Sequence, residues 1–326
     1  MIHANRLSKA FGAIRAVSDL SFAIRSPGVT GLLGPNGAGK STTIRMLTGF
    51  TQPDAGSAVI DGIDLAEAPA AARARLGYAP ETAPLYPELT PAQYLHHRGR
   101  LYGLDRKARR AAIARELDRC RLADVADRRI GGLSKGYRQR VALAAALAHD
   151  PPIVILDEPA SGLDPRQIIE LRRAILELGQ TKAVLLSSHV LAEIERTCDR
   201  VLIVSGGRLL ADGPPDNVAG EGPARLTAEF APPPGVDPAL ARHHAAELLA
   251  RVAGLGHRRL TDADPPFVRL TAPYDEDAAQ ALGVALAHGG WRLRELRKDR
   301  PTLEARFVEL LAAAAANPDD HDGAAP

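Results

Sequence analysis

The sequence has few of the residues that build disulfide frameworks, zinc sites or membrane spans. Its 326 residues include only two cysteines, Cys120 and Cys198, which stand far apart in the chain. This argues against a disulfide framework and against a zinc site. No run of about 18 or more apolar residues occurs, and no N-terminal signal peptide is recognisable. We therefore expect a soluble protein of a reducing compartment, with any membrane-spanning partner on another chain.

An excess of charge of one sign is lacking as well. The chain has 41 Lys and Arg against 39 Asp and Glu, a formal net charge of +2. This balance offers no electrostatic reason for binding nucleic acid, and we predict no such partner. The basic run over residues 106–115 has helical spacing and is more typical of a solvated helix face than of a binding patch. The length is sufficient for a substantial core and two domains.

A glycine-rich run between an apolar stretch and an amphipathic stretch is the most informative motif. Residues 34–42 read Gly-Pro-Asn-Gly-Ala-Gly-Lys-Ser-Thr and fit G-x-x-x-x-G-K-[ST]. Backbone N–H groups of such a loop and of the following helix N-terminus converge on a phosphate. Lys40 would contact the β- and γ-phosphates of ATP, and the Ser41 hydroxyl would bind Mg²⁺. The nucleotide-binding residues predicted in this loop are Gly34, Asn36, Gly37, Gly39, Lys40, Ser41 and Thr42. A chance glycine-rich turn is the alternative for this motif alone.

Two carboxylates follow a second apolar run. Residues 153–158 read Ile-Val-Ile-Leu-Asp-Glu, and four consecutive apolar residues predict a fully buried parallel strand. Ligands of open α/β sheets bind at the carboxyl ends of the strands. Asp157 is therefore predicted to hold Mg²⁺, and Glu158 to polarise the water that attacks the γ-phosphate. A solvated strand end is the alternative for the pair alone.

Further motifs resemble, in order, those of ATP-binding cassette (ABC) proteins. Residues 133–140, Leu-Ser-Lys-Gly-Tyr-Arg-Gln-Arg, resemble the signature motif of that family. Residues 161–164, Ser-Gly-Leu-Asp, resemble its D-loop, and residues 188–189, Ser-His, its switch histidine. Phe11 stands where the family places an aromatic ring against the adenine. Together the motifs extend over about two-thirds of the chain.

The resemblance assigns roles to these residues. Ser134 and Gly136 would start a helix whose N-terminus faces the γ-phosphate bound to the other subunit. His189 would donate to the γ-phosphate, although a helix cap or a satisfied core histidine is the alternative. Asp164 joins the nucleotide-binding set as part of the D-loop, and with Pro165 it also forms a strong helix start.

Three positions depart from the family's commonest pattern. Lys135 and Tyr137 stand where Gly and Gln are usual in the signature motif, and both side chains can point away from the nucleotide. Glu81 stands where Gln is usual in the loop between the two lobes. A carboxylate can still offer an oxygen to Mg²⁺, so Glu81 is a predicted catalytic and metal residue, but it adds negative charge beside the triphosphate. A solvated loop carboxylate is the alternative for Glu81.

The predicted fold class is α/β. The resemblance implies a P-loop NTPase of the ABC type, with a parallel α/β core, an antiparallel β subdomain and a helical subdomain. We expect this cassette over residues 1–215, with the helical subdomain at about 85–150. Strand and helix patterns in the order βαββαβ predict a small ferredoxin-like α+β module over residues 222–315. The polar tail over residues 316–326 is expected to be disordered.

Two classes of function compete: the ATPase subunit of a membrane transporter, and a soluble ABC protein acting on ribosomes or DNA. A single cassette, with only about 115 residues and no heptads between the phosphate loop and the Asp-Glu strand, favours the transporter. The motifs and the C-terminal module resemble the drug-resistance and gliding-motility branch of ABC-2-type exporters, and the cargo is left open.

The resemblance then implies a set of partners and a location. We expect ATP hydrolysis with Mg²⁺, in a head-to-tail dimer with a second copy or a paralogous ATPase. The free energy of ATP hydrolysis would drive transport by an integral-membrane ABC-2-type permease. The ATPase would lie in the cytoplasm, bound to the inner face of the membrane through that permease. The permease is expected to dock near Glu81 on Leu85, Tyr86, Leu89 and Tyr94, unless these four form the lobe's own core. The C-terminal module is expected to regulate, to make dimer contacts, or simply to stabilise.

Overall fold

The computed structural model describes the residues 1–25, 27–220, 224–237, 240–252, 254–255, 258–299 and 302–316. The chain divides into two compact units, one formed by Met1–Val218 with the segment that begins at Phe307, the other by Ala219–Arg306. The expected disordered tail lies outside the described residues, apart from Ala316 at the end of a helix. None of the described helices combines the length and the apolar character that a membrane crossing requires.

The first unit is built from two sheets and a helical lobe. Its strands are β1 (Ile2–Phe11), β2 (Ile14–Ile24), β3 (Gly28–Leu33), β4 (Ala55–Ile60), β5 (Ile63–Asp64), β6 (Leu76–Ala79), β7 (Ile153–Leu156), β8 (Ala183–Ser188), β9 (Arg200–Ser205) and β10 (Arg208–Gly213). Its helices are α1 (Lys40–Leu47), α2 (Pro69–Ala74), α3 (Pro91–Leu101), α4 (Arg106–Arg119), α5 (Lys135–Leu147), α6 (Pro165–Gly179) and α7 (Leu191–Thr197), with α8 (Pro215–Ala219) at its boundary.

The parallel sheet brings the two phosphate-site motifs together. Its strand order is β10-β9-β3-β8-β7-β6, with only β10 antiparallel to its neighbour. The strands β7 and β8 are buried along their full length, as parallel strands covered on both faces should be. Since parallel strands end at the same edge, the phosphate loop after β3 and the carboxylates after β7 lie one strand apart.

The antiparallel sheet covers the helix of the phosphate loop. Its order is β2-β1-β4-β5, and apolar side chains alternate with exposed ones along β1 and β4. This alternation is typical of a sheet with one face on the core. Ile2, Leu7 and Ile60 of this sheet share one buried cluster with Ile44 and Leu47 of α1. The core thereby fixes the position of α1 under the loop.

The helices of the helical lobe begin at residues suited to that role. Thr90 caps α3 in a reciprocal pair with Gln93, and Pro91 occupies the first helical position. Asp105 caps α4 by accepting the Ala108 N–H at 2.8 Å. Such caps satisfy backbone donors that would otherwise have no partner.

The second unit has the strand order of a ferredoxin-like module. Its elements are β11 (Arg225–Ala231), α9 (Ala241–Ala250), β12 (Arg259–Asp262), β13 (Val268–Pro273), α10 (Glu276–His288) and β14 (Arg292–Asp299), after which α11 (Leu303–Ala316) follows. The sheet order β12-β13-β11-β14 is antiparallel throughout. Phe230 and Leu270 of the sheet pack with Leu249 of α9 and Leu282 of α10 in a buried cluster. The predicted fold class and the βαββαβ order are confirmed.

The structure refines three local interpretations. The sequence pattern over residues 257–260 predicts a strand, whereas the structure has it at Arg259–Asp262, and His257 lies outside the described residues. The sequence predicts a turn at Gly206-Gly207, and the segment after that turn forms the edge strand β10. Tyr94, one of the four residues expected on the permease-docking surface, is only 6 % exposed and belongs to the core of the lobe.

A stacked pair of rings joins the helical lobe to the loop that enters β7. The Tyr102 ring at the end of α3 lies on the His149 ring with centroids 3.6 Å apart and an angle of 7°. Burial lowers the pKa of the His149 imidazole from 6.5 to about 4, and the guanidinium of Arg98 adds to this effect. The folded protein therefore holds His149 neutral over a pH range in which the unfolded chain protonates it.

We predict that His149 makes the protein less stable at acid pH. The contribution of its neutral ring is complete above about pH 6.5 and is lost as the pH falls toward 4, by up to about 3 kcal/mol. His149→Phe keeps a ring on Tyr102 but cannot titrate, so its denaturant midpoint should depend less on pH in this window. Exposed His96 provides the control, and His96→Phe should retain the wild-type slope. An unchanged slope in His149→Phe would contradict the assignment.

Candidate functional site

The phosphate loop has the backbone of an anion cradle. Gly37 and Gly39 have φ of 78° and 99°, which favours glycine at both positions. A Cβ on Gly39 would collide with the carbonyl of Ala16, and one on Gly34 with the carbonyl of Val204. A Cβ on Gly37 would meet no atom within 4 Å, so this side of the loop is open. The loop is thus packed against the protein at Gly34 and Gly39 and open at Gly37, so that a phosphate can approach its backbone.

Lys40 is held under this loop as a buried cation. Its Nζ donates to the carbonyl of Gly34 at 2.7 Å and to that of Pro35 at 3.1 Å, and it lies 3.7 Å from Oε1 of Glu158. The side chain is only 6 % exposed. Ser41 and Thr42 occupy the first turn of α1 and are half-buried, and Asn36 is exposed on the loop. A buried ammonium among open N–H groups suits the charge of a polyphosphate.

Asp157 lies at the carboxyl end of β7 and is 5 % exposed. Its Oδ1 accepts a hydrogen bond from Ser187 Oγ at 2.7 Å. Its pKa is raised, first by burial and then by the neighbouring carboxylates of Glu158 and Glu81. Burial and the Asp157 charge also raise the pKa of Tyr78 to about 12. The accumulated negative charge makes this strand end a favourable place for a cation.

Glu158 is held in place from three directions. Its N–H donates to Ser187 Oγ at 2.8 Å, its Oε2 lies 2.8 Å from Nδ1 of His189, and its Oε1 faces Lys40. Its φ of 46° is unusual for a residue other than glycine. Such strain persists where the surroundings determine the conformation, and it is concentrated at functional sites. His189 is half-exposed, so the predicted alternative of a core histidine does not describe it.

Glu81 is on the exposed loop that follows β6, and its Oε1 accepts a hydrogen bond from Ser161 Oγ at 3.4 Å. The structure therefore joins the lobe-connecting loop to the D-loop. In the described part of the chain no three His, Cys, Asp or Glu side chains form a metal-binding group. Mg²⁺ is usually held by one or two carboxylates together with water and phosphate oxygens, and Ser41, Asp157 and Glu81 offer that smaller set.

Phe11 is at the tip of the β1–β2 hairpin, paired with Ile14, and is 50 % exposed. The Lys9 ammonium lies 5.8 Å from its ring centroid. The same hairpin reaches the phosphate loop, because the Ala16 carbonyl packs against Gly39. An exposed ring beside the loop can stack on a flat base.

The signature motif lies on the helical lobe and contacts the D-loop of its own chain. Ser134 caps α5, accepting the Tyr137 N–H at 3.4 Å. A Cβ on Gly136 would lie 2.6 Å from the Gln167 side chain, and one on Gly162 would collide with Lys135 Nζ. Among the described residues no hydrogen bond or ion pair joins the motif to the chain's own phosphate loop. Its exposed N-terminus is thus free to serve a different nucleotide.

The D-loop helix is tied to the signature helix by charge. Asp164 caps α6 in a reciprocal pair with Gln167. One turn later Glu170 pairs with Arg140 of α5 and, at 3.4 Å, with Arg121 after α4. The three segments therefore meet on one carboxylate that is 21 % exposed. Partial burial makes this cluster worth more than a surface ion pair.

Tyr137 takes part in the same arrangement. Its hydroxyl donates to Asp124 at 2.7 Å, and the Arg140 guanidinium lies 5.4 Å from its ring centroid. Tyr137 and, beside Gly162, Lys135 therefore contact residues of their own chain.

Sequence reasoning missed two supports of the site. Ser187 is fully buried, and its hydroxyl donates to the Asp157 carboxylate and accepts the backbone N–H of Glu158, yet sequence reasoning gave it no role in the site. Two serines at the end of an otherwise apolar strand were the available signal. The Gly206-Gly207 turn also supports the phosphate loop, since the Gly207 N–H donates to the Ala38 carbonyl at 3.1 Å. Nothing in the sequence near Gly207 indicates that contact.

Known proteins share this arrangement. The family model described as ABC transporter matches residues 17–161. The Nod factor export ATP-binding protein I of Paraburkholderia xenovorans is 37 % identical over 276 residues, which is 82 % of this chain and 89 % of that protein. The ABC transporter ATP-binding protein NatA of Bacillus subtilis is 40 % identical over 203 residues, covering 61 % of this chain and 82 % of NatA. The 276-residue match is longer than the first unit and so extends into the second.

A solved structure gives the same fold. It is described as an ATP binding subunit of an ABC transporter, and it superposes with a TM-score of 0.62 at 35 % identity. The superposition covers 67 % of this chain and 91 % of the other. The cassette fold is therefore shared, whereas one-third of this chain lies outside that match.

We predict that Lys40→Ala weakens ATP binding itself. The substitution removes the buried cation that faces the loop, and a hydrogen bond to a charged group contributes about 1.5–3 kcal/mol, or roughly 10- to 150-fold in affinity. Calorimetric titration with ATP measures the change. Lys107, an exposed lysine without a partner among the described residues, provides the control, and Lys107→Ala should bind ATP as the wild type does. Equal affinities for all three proteins would show that the site is misplaced.

Proposed function

The chain belongs to the ABC transporter family of ATP-binding proteins, and on this premise we propose that it is the ATP-hydrolysing subunit of an ABC-2-type exporter, working as a head-to-tail dimer through a separate permease. The observation that carries the ATPase function is Glu158, fixed between Lys40 and His189 beside an open phosphate cradle. Export is supported by the first relative, whose name states that it exports Nod factors. The cargo of this chain does not follow from that name.

The residues of the site divide the chemistry among them. Lys40 and the loop N–H groups bind the phosphates, and Phe11 supports the base. Glu158 accepts the proton of the attacking water, while His189 holds the second carboxylate oxygen and can also contact the γ-phosphate. Ser41, Asp157 and Glu81 would hold Mg²⁺, which neutralises charge on the phosphates. Ser134, Gly136 and Asp164 would act on the nucleotide of the partner.

The dimer follows from the division of the site. Each chain has one phosphate cradle and one signature helix, and the signature N-terminus makes no hydrogen bond or ion pair to its own cradle in the described residues. An anion-binding helix end complements the γ-phosphate only if a second chain presents it. The second chain can be another copy or a paralogue.

We predict that Glu158→Gln binds ATP but does not turn it over. The amide cannot accept the proton, and loss of a general base typically costs about 10²- to 10⁴-fold in rate. Unhydrolysed ATP should then hold the dimer, which gel filtration with ATP and Mg²⁺ would detect. Glu177, exposed on α6, provides the control, and Glu177→Gln should keep both turnover and the monomer–dimer exchange. Turnover per chain that is independent of protein concentration, with a monomeric Glu158→Gln, would contradict the dimer.

We propose that the permease docks on the exposed rings of Phe50 and Tyr86, which we call the permease-docking patch, at the inner face of the membrane. Tyr86 is 46 % exposed and makes edge contacts with the rings of Tyr94 and His97. Phe50, which the sequence prediction did not include, is 73 % exposed and lies 5.7 Å from the Tyr78 ring. Tyr78 and Tyr86 stand on either side of Glu81 in the sequence, so both rings flank the loop that reaches the D-loop. An occupant of this patch would sense that loop directly.

We predict that Tyr86→Glu releases the protein from its permease. A charge in an apolar contact must be desolvated on docking, which weakens the complex. Co-purification with membranes from cells producing both subunits measures the loss, and ATP hydrolysis by the soluble protein should stay within a few-fold of wild type. Val284→Glu serves as control, because it introduces the same carboxylate at a 55 % exposed site of the second unit. Retention of Tyr86→Glu on the membranes would count against the docking surface.

A further inference from the structure

The residues that flank the turn between α3 and α4 include four cations and an exposed leucine. We name the cluster the cationic tip and define it by Arg100, Leu101, Arg106, Lys107 and Arg110. Leu101 is 64 % exposed, and all four basic side chains are exposed. None of the four has an ion-pair or hydrogen-bond partner for its side chain in the described part of the chain. They are therefore available to an external anion.

The neighbouring charged residues of this turn are used internally. Arg109 packs its stem over Gly99 and donates to the Leu104 carbonyl at 2.7 Å, which closes the turn. Asp105 accepts the Ala108 N–H as the cap of α4. The one acidic residue of the turn thus has a structural role, and the remaining charge is positive.

The tip also places charge at an unfavourable position of the helix. The first turn of α4 contains no acidic residue, whereas Arg106 and Lys107 lie in it. Cations near a helix N-terminus are opposed by the helix dipole, even where, as here, a carboxylate caps the helix. Departures from such local rules are expected mainly at functional sites.

The charge of the chain is distributed unevenly. The helical lobe, residues 85–150, has fourteen Lys and Arg against seven Asp and Glu, a net charge of +7. From the totals of 41 and 39, the rest of the chain has 27 and 32, a net charge of −5. The near-neutral whole therefore conceals a strongly basic lobe, and this net charge favours attraction to an anionic surface.

We propose that the cationic tip binds the anionic phospholipid headgroups of the bilayer, with Leu101 inserted among them. Its orientation rests on the proposed function: His97, which contacts Tyr86 of the permease-docking patch, lies one helical turn before Leu101 on the same face of α3. In the proposed orientation, a permease held at Tyr86 leaves the tip, one helical turn away, facing the inner leaflet of the membrane. Cations around a short apolar side chain suit the headgroup region, where long basic side chains lie with their stems in apolar surroundings.

Vesicle binding by the full chain tests the proposal. The wild type should sediment with vesicles of phosphatidylcholine and phosphatidylglycerol but not with phosphatidylcholine alone, and salt should release it. Arg106→Gln with Lys107→Gln should weaken binding roughly 25-fold, because each cation near an anionic surface contributes a factor of about five. Leu101→Ser should weaken binding while leaving its salt dependence unchanged.

A matched pair of substitutions separates the tip from general charge. Arg128 and Arg129 are exposed on the same lobe, and Arg128→Gln with Arg129→Gln removes equal charge. Equal weakening by the two double variants would overturn the proposal, as would binding to phosphatidylcholine alone. Displacement of the protein from vesicles by single-stranded RNA or inorganic phosphate at comparable concentration would identify a polyanion site instead and would also overturn it. Absence of ATP hydrolysis by the wild type would contradict the proposed function. The vesicle measurements alone decide the lipid-binding proposal.

Discussion

The charges enclosed at the edge of the parallel sheet are the constraint on which the rest of the structure depends. Lys40 and Asp157 are almost inaccessible to water, and a charge in such surroundings is stable only beside a partner or a ligand. Two loop carbonyls and Glu158 serve Lys40, while Ser187 serves Asp157. The sheet order makes these contacts possible, because β8 separates β3 from β7 and supplies Ser187 to the Asp157 carboxylate and the Glu158 N–H that follow β7. The excess of carboxylates over cations at this edge would favour a metal ion beside the polyphosphate.

The helical lobe contributes through rigid attachment. Glu170 gathers guanidinium groups from α5 and from the end of α4, and Tyr137 adds a bond to Asp124. Replacing the usual signature glutamine by Tyr137 therefore exchanges one possible nucleotide contact for a link within the lobe. The signature N-terminus is consequently displayed by three fixed segments, and its direction is set before a second chain arrives. This preorganisation reduces the entropy lost on association.

The sequence was most predictive where the chain obeys strong local rules. The buried run before Asp157, the caps at Ser134 and Asp164 and the βαββαβ order of the second unit all depend on short-range patterns, and the structure confirms these elements. Ser187 and the Gly207 contact depend on which strands lie side by side, and no local pattern contains that information. Tyr94 and Tyr86 show the same limit. The two residues are of the same type and lie close in the sequence, and nothing local reveals that only Tyr86 faces solvent.

The stacked Tyr102 and His149 rings connect the two functions assigned to the lobe. Tyr102 directly follows Leu101 of the cationic tip, and His149 stands shortly before β7, whose carboxyl end presents Asp157 and Glu158. Displacement of the tip must therefore either break a face-to-face contact of half-buried rings or move the loop that enters the central strand. Packed interiors resist small deformations and favour discrete rearrangements over gradual ones. A tip held by the bilayer thus gives the lobe a fixed reference, against which closure around the nucleotide can act on the permease.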